Sequence, residues 1–194
     1  MTTTTNTATP DYIVDGVLTD GEPWVALQSH VLSADATGVT FQSSTGANDW
    51  SQYMDLVIVG YCQSDTETSA ISRYNNDTGT NYYYQELYGN GSSANAYASS
   101  AINYNFWGYC TRVSDGANDF SMFKVDLFDI NSGKYKTSTA QYATDKDGSG
   151  FVGLITNIWE SQAAITEIDL LAWTGDWKDG SRFDLFGILP RMVS

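Results

Sequence analysis

Acidic side chains in glycine-rich turns are the residues of this sequence whose types and spacing could do chemistry. The segment WTGDWKDGSRFDLFGI, residues 173–188, carries Asp176, Asp179 and Asp184. Closely spaced carboxylates can bind Ca²⁺, and a pair of carboxylates can hydrolyse a glycosidic bond. The same aspartates can instead shape the last turn of a β-sheet, because Asp and Gly favour turns. The neighbouring glycines and the apolar strand pattern that follows favour the turn.

A second acidic loop, DKDGSG, copies the start of an EF-hand calcium loop with Asp145 and Asp147. The twelfth position of that loop would be Thr156 rather than the bidentate glutamate that the motif requires. The segment that follows, FVGLI, is also typical of a strand and not of a helix. The loop SDGAND has a similar acidic spacing and receives the same interpretation, a solvated turn. We therefore predict no metal site.

Nucleophilic and zinc chemistry have no matching residue pattern. His30 is the only histidine, it lies inside a strand-like run, and no G-x-S-x-G segment occurs. A Ser-His-Asp triad needs a histidine placed beside a nucleophilic serine and an acid, and a tetrahedral zinc site needs several His or Cys ligands at suitable spacing. Cys62 and Cys110 lie in aromatic strand-like runs, and we interpret them as buried, reduced thiols. The sequence predicts no catalytic residue and no cofactor.

Glycoside hydrolysis requires two carboxylates facing one cleft. Four side chains could contribute, namely Glu86, Glu160, Glu167 and Asp169. Glu167 and Asp169 share one face of the run ITEIDLLA, and the alternate face is apolar. That alternation places the two acids on the solvent side of a strand. An enzyme is therefore the least favoured of the function classes.

Aromatic residues are the better candidates for recognition. The run NYYYQELY places Tyr82, Tyr83 and Tyr84 on successive positions, so at least one ring lies on each face of a strand. Exposed Tyr and Trp rings stack on sugars and anchor protein interfaces, although cross-strand packing is an equal alternative. Trp177 packs over its turn or faces a neighbour. We expect a surface for recognition or for an interface at Tyr82, Tyr83, Tyr84 and Trp177.

The elements that must position these residues are short strands. Only 16% of the 194 residues are charged, whereas Tyr, Thr, Ser, Asn and Gly are abundant. Turn pairs such as Asn-Gly, Asp-Gly and Ser-Gly separate the apolar runs, which is typical of antiparallel hairpins. Eleven strands are expected, at residues 24–32, 38–42, 53–61, 70–74, 81–88, 101–109, 120–130, 134–142, 150–159, 165–172 and 182–188.

This spacing predicts an all-β fold, an antiparallel jelly-roll-like β-sandwich over residues 24–194. Residues 1–23 begin with the polar run MTTTTNTATP, which has nothing to bury, and are expected to form an extended N-terminal arm or attachment segment.

The charge balance excludes some partners. Nine basic against 23 acidic residues give a formal net charge of −14. Nucleic acids and anionic lipids both require clustered Lys and Arg, so neither is an expected partner. No apolar run is long enough for a membrane span, and we expect no signal peptide.

The ordered motifs between residues 24 and 188 resemble a family of small virion structural proteins of tailed bacteriophages, including cyanophages. These motifs are WVALQSHVLSADATGVTFQSS, YMDLVIVGY, RYNNDTGTNYYYQELYGNGSS, DINSGKYKTSTAQY, GSGFVGLITNIWESQAAITEIDLL and GDWKDGSRFDLFGI. The third is the most specific. The last is similar to the family's ending, which is Gly-Asp or Gly-Asn, an aromatic residue, a small spacer, Gly-Ser and an apolar strand that closes on Tyr-Gly-Ile or Phe-Gly-Ile. The first 23 residues differ from the family's pattern.

The resemblance implies a jelly-roll-like β-sandwich on the exterior surface of the virion, as a capsid decoration or tail-fibre component. It implies other capsid or tail proteins as partners and a homo-oligomer, for which a trimer or another closed ring would fit. No catalytic residue follows from it. The alternative on the same fold is a tail-associated module that binds a cell-surface glycan through tyrosine and tryptophan loops.

Overall fold

The computed structural model describes residues 1–5, 13–14, 17–18, 24–146 and 148–189. The first eight strands are β1 (Thr2–Thr5), β2 (Ile13–Val14), β3 (Val17–Leu18), β4 (Trp24–Val31), β5 (Gly38–Gln42), β6 (Asp55–Ser64), β7 (Thr68–Tyr74) and β8 (Tyr82–Gly89). The others are β9 (Ala94–Ile102), β10 (Asn105–Arg112), β11 (Ser121–Phe128), β12 (Lys136–Asp145), β13 (Gly150–Trp159), β14 (Glu167–Ala172) and β15 (Arg182–Ile188). Two short 3₁₀ helices, Gly46–Asn48 and Trp50–Gln52, lie between β5 and β6.

The all-β prediction is confirmed. The described residues are 60% strand and contain no helix of seven or more residues. Thirteen of the described strands form one mixed sheet, and β2 and β3 form a separate antiparallel pair. Such a fold follows from a chain rich in Tyr and Thr, whose side chains suit a pleated surface.

The large sheet contains two antiparallel runs. In one, the neighbours follow the order β1-β4-β15-β6-β11-β12-β13-β8-β9, and in the other β5-β14-β7-β10. A short parallel pairing of β10 with β6 joins them, at Thr111 with Gln63 and Arg112 with Ser64. The joint lets the second run turn over one face of the first.

Contacts between β10 and β12 show where the core lies. These strands share no ladder, yet the Tyr142 ring of β12 lies against Gly108 of β10. Next to this contact, Phe106 N–H donates to Asn157 Oδ1 at 3.0 Å, and Asn157 Nδ2 donates to the Phe106 carbonyl at 3.0 Å. We call the side of β8, β12 and β13 that faces β10 the inner face, and the opposite side the outer face.

Strand β11 confirms how alternation selects the buried face. Phe123, Val125 and Leu127 are buried, whereas Met122 and Phe128 on the alternate positions are exposed. Sequence periodicity therefore assigned this strand's faces correctly, as expected where every second residue is apolar.

The N-terminal residues take part in the sheet. Thr2–Thr5 form β1 and pair with β4 of the same chain, from Thr2 with Val31 to Thr5 with Gln28. The N-terminal amine also donates to Ser33 Oγ at 2.6 Å. Most of the expected arm, residues 6–12, 15–16 and 19–23, lies outside the described residues.

Candidate ligand-binding cleft

The three aspartates of residues 173–188 have separate partners. Asp176 N–H donates to Asp65 Oδ1 at 2.9 Å, and Asp179 N–H donates to Asp35 Oδ1 at 3.1 Å. Asp184 lies on β15, two residues after Arg182, and its Oδ2 accepts a hydrogen bond from Arg182 Nε at 2.7 Å. Hydrogen bonds to the carboxylates of Asp65 and Asp35, which lie in other loops, thus hold this loop in place.

No group of three or more His, Cys, Asp or Glu side chains within the described residues could hold a metal ion. Asp147 of the DKDGSG loop lies outside those residues.

The two acids of β14 make local contacts on an exposed surface. Asp169 accepts from Thr40 Oγ1 at 2.7 Å, and Glu167 accepts from Gln42 Nε2 at 2.5 Å. Both acceptors therefore pair with hydroxyl or amide groups of the neighbouring β5. This geometry fits the solvent-facing stripe expected from their alternation.

Glu86 has a different environment from the other candidate carboxylates. It is buried on the inner face of β8, and the Tyr142 hydroxyl donates a hydrogen bond to its Oε1. No described residue donates to its second oxygen. Burial raises the pKa of the Glu86 carboxyl, and the hydrogen bond from Tyr142 offsets part of that rise. A carboxylate with a spare acceptor atom is a ready partner for a ligand hydroxyl or amine.

Tyrosines surround Glu86 on the inner face. Tyr84 and Tyr88 flank it along β8, and Tyr97 of β9 lies directly opposite it in the ladder. The Tyr84 and Tyr97 rings have centroids 5.9 Å apart. Tyr109 of β10 closes the other side, with its centroid 6.4 Å from Tyr88 and 5.8 Å from Tyr142. We call this surface around Glu86, formed by Tyr84, Tyr88, Tyr97 and Tyr109, the tyrosine cleft.

Further aromatic side chains extend and support the cleft. The ring centroid of Phe106 lies 5.0 Å from that of Tyr84 and 5.3 Å from that of Tyr109. The ring centroid of Phe151 lies 4.8 Å from that of Tyr109. Separately, Tyr104 and Trp173 contact each other at 4.6 Å. Tyr97 is 56% exposed and Trp173 is 50% exposed, so both rings offer faces to solvent. The surface thus combines exposed aromatic rings with the buried carboxylate of Glu86.

Two register shifts in the strands set the orientation of these rings. The ladder of β10 with β7 shifts register between Phe106 and Gly108, where Gly108 has φ 131°. That bulge turns Phe106 and Tyr109 toward each other, although strict alternation over three positions would separate them. A similar shift between Tyr82 and Tyr84 interrupts the β8 ladder with β9.

The hydroxyl groups of Tyr84 and Tyr109 are neutral at pH 7. Burial raises the pKa of Tyr109 to about 12, and the nearby Glu86 carboxylate adds to the shift. The pKa of Tyr84 is raised as well, first by burial and then by Tyr104 and Tyr97. Each hydroxyl can therefore both donate and accept a hydrogen bond.

The structure places the four residues expected at a recognition surface in different environments, two in the core and two at the surface. Tyr82 is fully buried and stacks on Trp159 with centroids 6.3 Å apart, and its hydroxyl donates to the Asp77 carbonyl at 3.1 Å. Trp177 is also fully buried, with its ring 5.5 Å from Phe183. These two residues pack in the core, so they do not form a surface, which corrects our expectation for them.

Tyr83 and Tyr84 are partly exposed, but on opposite sides of the sheet. Tyr84 lines the tyrosine cleft, whereas Tyr83 lies on the outer face with Gln85. A strand's period of two requires this separation.

Sequence reasoning missed most of the cleft. The alternation of Tyr84, Glu86 and Tyr88 was visible as one face of a strand. Tyr97 and Tyr109 come from other strands, and only the fold brings them near Glu86.

Comparisons of the chain with protein-family models, with curated proteins and with solved structures find no match. In the stretches that the structure describes, no helix has the length and apolar character needed to cross a membrane.

Proposed function

We propose that the chain is a non-enzymatic structural protein of a tailed-bacteriophage particle, displayed on the exterior as a capsid decoration or fibre component. The observation that carries this proposal is the spatial arrangement of the motifs that resemble that family. The closing motif forms β15, which lies between β4 of the first motif and β6 of the second. Three segments distant in sequence thus form one contiguous unit, as a shared fold signature would.

A jelly-roll-like β-sandwich is the finer architecture that we propose. Support comes from the antiparallel run β5-β14-β7-β10, which lies over β12 and β13 while pairing with β6 at one end only. The two layers share large buried rings, including Trp107 and Phe123 at 5.9 Å. Two antiparallel layers with a common core define a sandwich.

Locating the protein on purified particles tests the assignment. We expect mass spectrometry of gradient-purified virions to detect the chain in stoichiometric amounts. Immunogold labelling over the whole capsid would identify a decoration protein, and labelling at the tail would identify a fibre component. Particles that lack the chain would contradict the proposal.

A glycan-binding module is the second candidate, and the tyrosine cleft is the observation that favours it. Tyrosine rings stack on the apolar faces of sugars, tyrosine hydroxyls donate hydrogen bonds to sugar hydroxyls and accept them, and a carboxylate accepts them. The net charge of −14 and Glu86 itself disfavour acidic glycans. Neutral or amino sugars are therefore the expected ligand class.

Glycan binding can be tested separately from particle location. We expect Tyr97→Ala to weaken binding to host surface polysaccharide by about tenfold, since one lost stacking contact is worth about 1 kcal/mol or more. Tyr135→Ala is the matched control, because Tyr135 is similarly exposed and has no ring contact with the cleft. Equal binding by wild type and Tyr97→Ala in titration calorimetry would eliminate the cleft as the site.

A further inference from the structure

The outer face of β12, β13, β8 and β9 is an exposed apolar surface. Leu87 is 62% exposed, Val152 is 64% exposed and Leu154 is 48% exposed. Leu87 and Leu154 are direct cross-strand partners, so they form one continuous ridge. A groove of about 500 Å³ runs beside them and is lined also by Ala96 and Ala98.

In the described strands this face carries one charged side chain, Asp145 at the end of β12. Beside the apolar residues, the other outward positions of these four strands hold Thr, Gln, Ser, Ala, Gly and Tyr. On the neighbouring strand β11, Lys124 and Asp126 pair with each other at 2.8 Å. In a chain with a net charge of −14, a face with a single charge at its corner is therefore a distinctive feature.

The edge strand next to this face is open to pairing over most of its length. Among the described strands β9 ends the path of the sheet, and its sequence ANAYASSAI holds no Lys, Glu or Pro. Natural proteins usually protect a long edge strand with charges, proline, bulges or a cover, and the one register shift of β9 lies near its end, between Ser99 and Ile102. An edge that is open from Ala94 to Ser99 beside an apolar face indicates that both are covered in the assembled protein.

The charge distribution indicates which molecule covers this face and its edge. A partner that is itself strongly acidic is repelled wherever its carboxylates face those of this chain, and a second copy carries the same −14. Two copies approach with the least repulsion through the surface that carries the fewest charges, and this face carries only Asp145 at one corner. The four strands present a face of about 15 Å by 25 Å, and apolar patches of roughly 300 Å² or more on a monomer are commonly functional.

We propose that the outer face of β12, β13, β8 and β9 is the surface through which copies of this chain associate. Leu87 and Leu154 lie at the centre of the contact, and Val152 and Ile158 lie at its two ends. This proposal does not depend on the phage assignment, because it rests on apolar exposure, the low charge of the face and the open part of the edge alone.

Sedimentation velocity of the full chain tests the proposal. We expect the wild-type protein to form a closed oligomer and Leu154→Asp to weaken association by at least ~100-fold, because a carboxylate without a partner would be buried at the contact. Val113→Asp is the matched control, since Val113 is exposed on a turn away from this face and receives the same charge. A wild-type chain that stays monomeric at every accessible concentration would overturn the proposal, as would equal dissociation by Val113→Asp.

Hydrogen exchange of the wild-type chain provides a test without any substitution. Backbone amides of β9 should gain protection as protein concentration rises, whereas amides of the β1 edge should not. Protection of β9 that is independent of concentration in an oligomeric sample would place the contact elsewhere and contradict the proposal.

Discussion

Single residues on the inner face determine whether the cleft can form. Gly108 leaves room for the Tyr142 ring, whose hydroxyl in turn bonds to Glu86. A side chain at position 108 would therefore displace the ring that holds the carboxylate. This dependence links a backbone conformation on β10 to a functional group on β8.

Gly108→Ala should strongly destabilise the fold. Gly108 has φ 131°, and a Cβ there would lie 2.4 Å from Tyr142 Cγ. We expect the free energy of unfolding to fall by about 2–4 kcal/mol, from backbone strain and overpacking together. Urea denaturation followed by tryptophan fluorescence measures the change. Gly133→Ala is the control, because no atom lies within 4 Å of its Cβ position; an equal effect of both substitutions would contradict the packing argument.

Glu86→Gln should stabilise the protein at neutral pH. Burial raises the folded-state pKa of Glu86 above its unfolded value, so this residue contributes stability below the unfolded pKa of about 4.5 and loses it as pH rises through the folded pKa. An amide keeps the acceptor for Tyr142 without the charge. We expect the variant to melt a few degrees higher than wild type at pH 7, at about 2–4 °C per kcal/mol, and the difference to vanish near pH 4. A lower melting temperature at pH 7 would show that the charge is needed in the fold.

At the scale of elements, side chains in turns connect strands that are distant in sequence. Asn75 follows β7 with φ 52°, and its amide reaches the segment that begins β14. Its Oδ1 accepts from Thr166 N–H at 2.9 Å and Glu167 N–H at 3.1 Å, and its Nδ2 donates to the Ala164 carbonyl at 2.7 Å. The turn after β7 thereby fixes the start of β14, which pairs with β7 in the sheet.

Two substitutions at Asn75 separate its two roles. Asn75→Gly removes the side-chain bonds but tolerates the positive φ, and we expect a loss of about 1–3 kcal/mol in unfolding free energy. Asn75→Ala should lose about 1 kcal/mol more, because alanine also strains the left-handed conformation. Chemical denaturation of both variants measures the difference. Ala101→Gly is the control, since Ala101 has a similar φ of 54° and an alanine side chain makes no hydrogen bond. Equal stability of Asn75→Gly and wild type would show that the turn does not anchor β14.

Across the whole molecule, the joint between the two antiparallel runs is buried. Cys62 of β6 and Cys110 of β10 lie on its two sides, fully covered, with their sulfur atoms 3.6 Å apart. Burial raises the pKa of the Cys62 thiol well above its ordinary value. The expectation of buried thiols, made from their aromatic surroundings, agrees with this placement.

Thiol labelling should therefore report global unfolding. At pH 8 we expect iodoacetamide to modify Cys62 and Cys110 in the native protein at least ~10³-fold more slowly than in urea, because both thiols require the two runs to separate. Intact mass spectrometry counts the modified thiols over time. Rapid labelling without denaturant would show that the joint opens locally.

The sequence predicted the elements better than the site. Ten of the expected strands correspond closely to observed ones, because alternating apolar residues and Asn-Gly or Asp-Gly turns are local patterns. Strand β9 was not predicted as such, since its Ala, Ser and Asn residues have low strand propensity and its pairing with β8 holds it in place. Among the cleft residues, Tyr84 was anticipated as a recognition residue, and Glu86 only as one of four candidate acids.

What the sequence by itself determined is the all-β class and the alternation of strand faces. The tertiary structure alone decided how completely each face is covered. Tyr82 became a core residue because Tyr74 of β7 and Trp159 of β13 pack against it, and Trp177 because it packs on Phe183, whereas Tyr97 lies on strand β9 at the end of the sheet and stays exposed. The physical reason is that a period of two groups residues by face locally, whereas burial of a face depends on pairings between segments far apart in the chain.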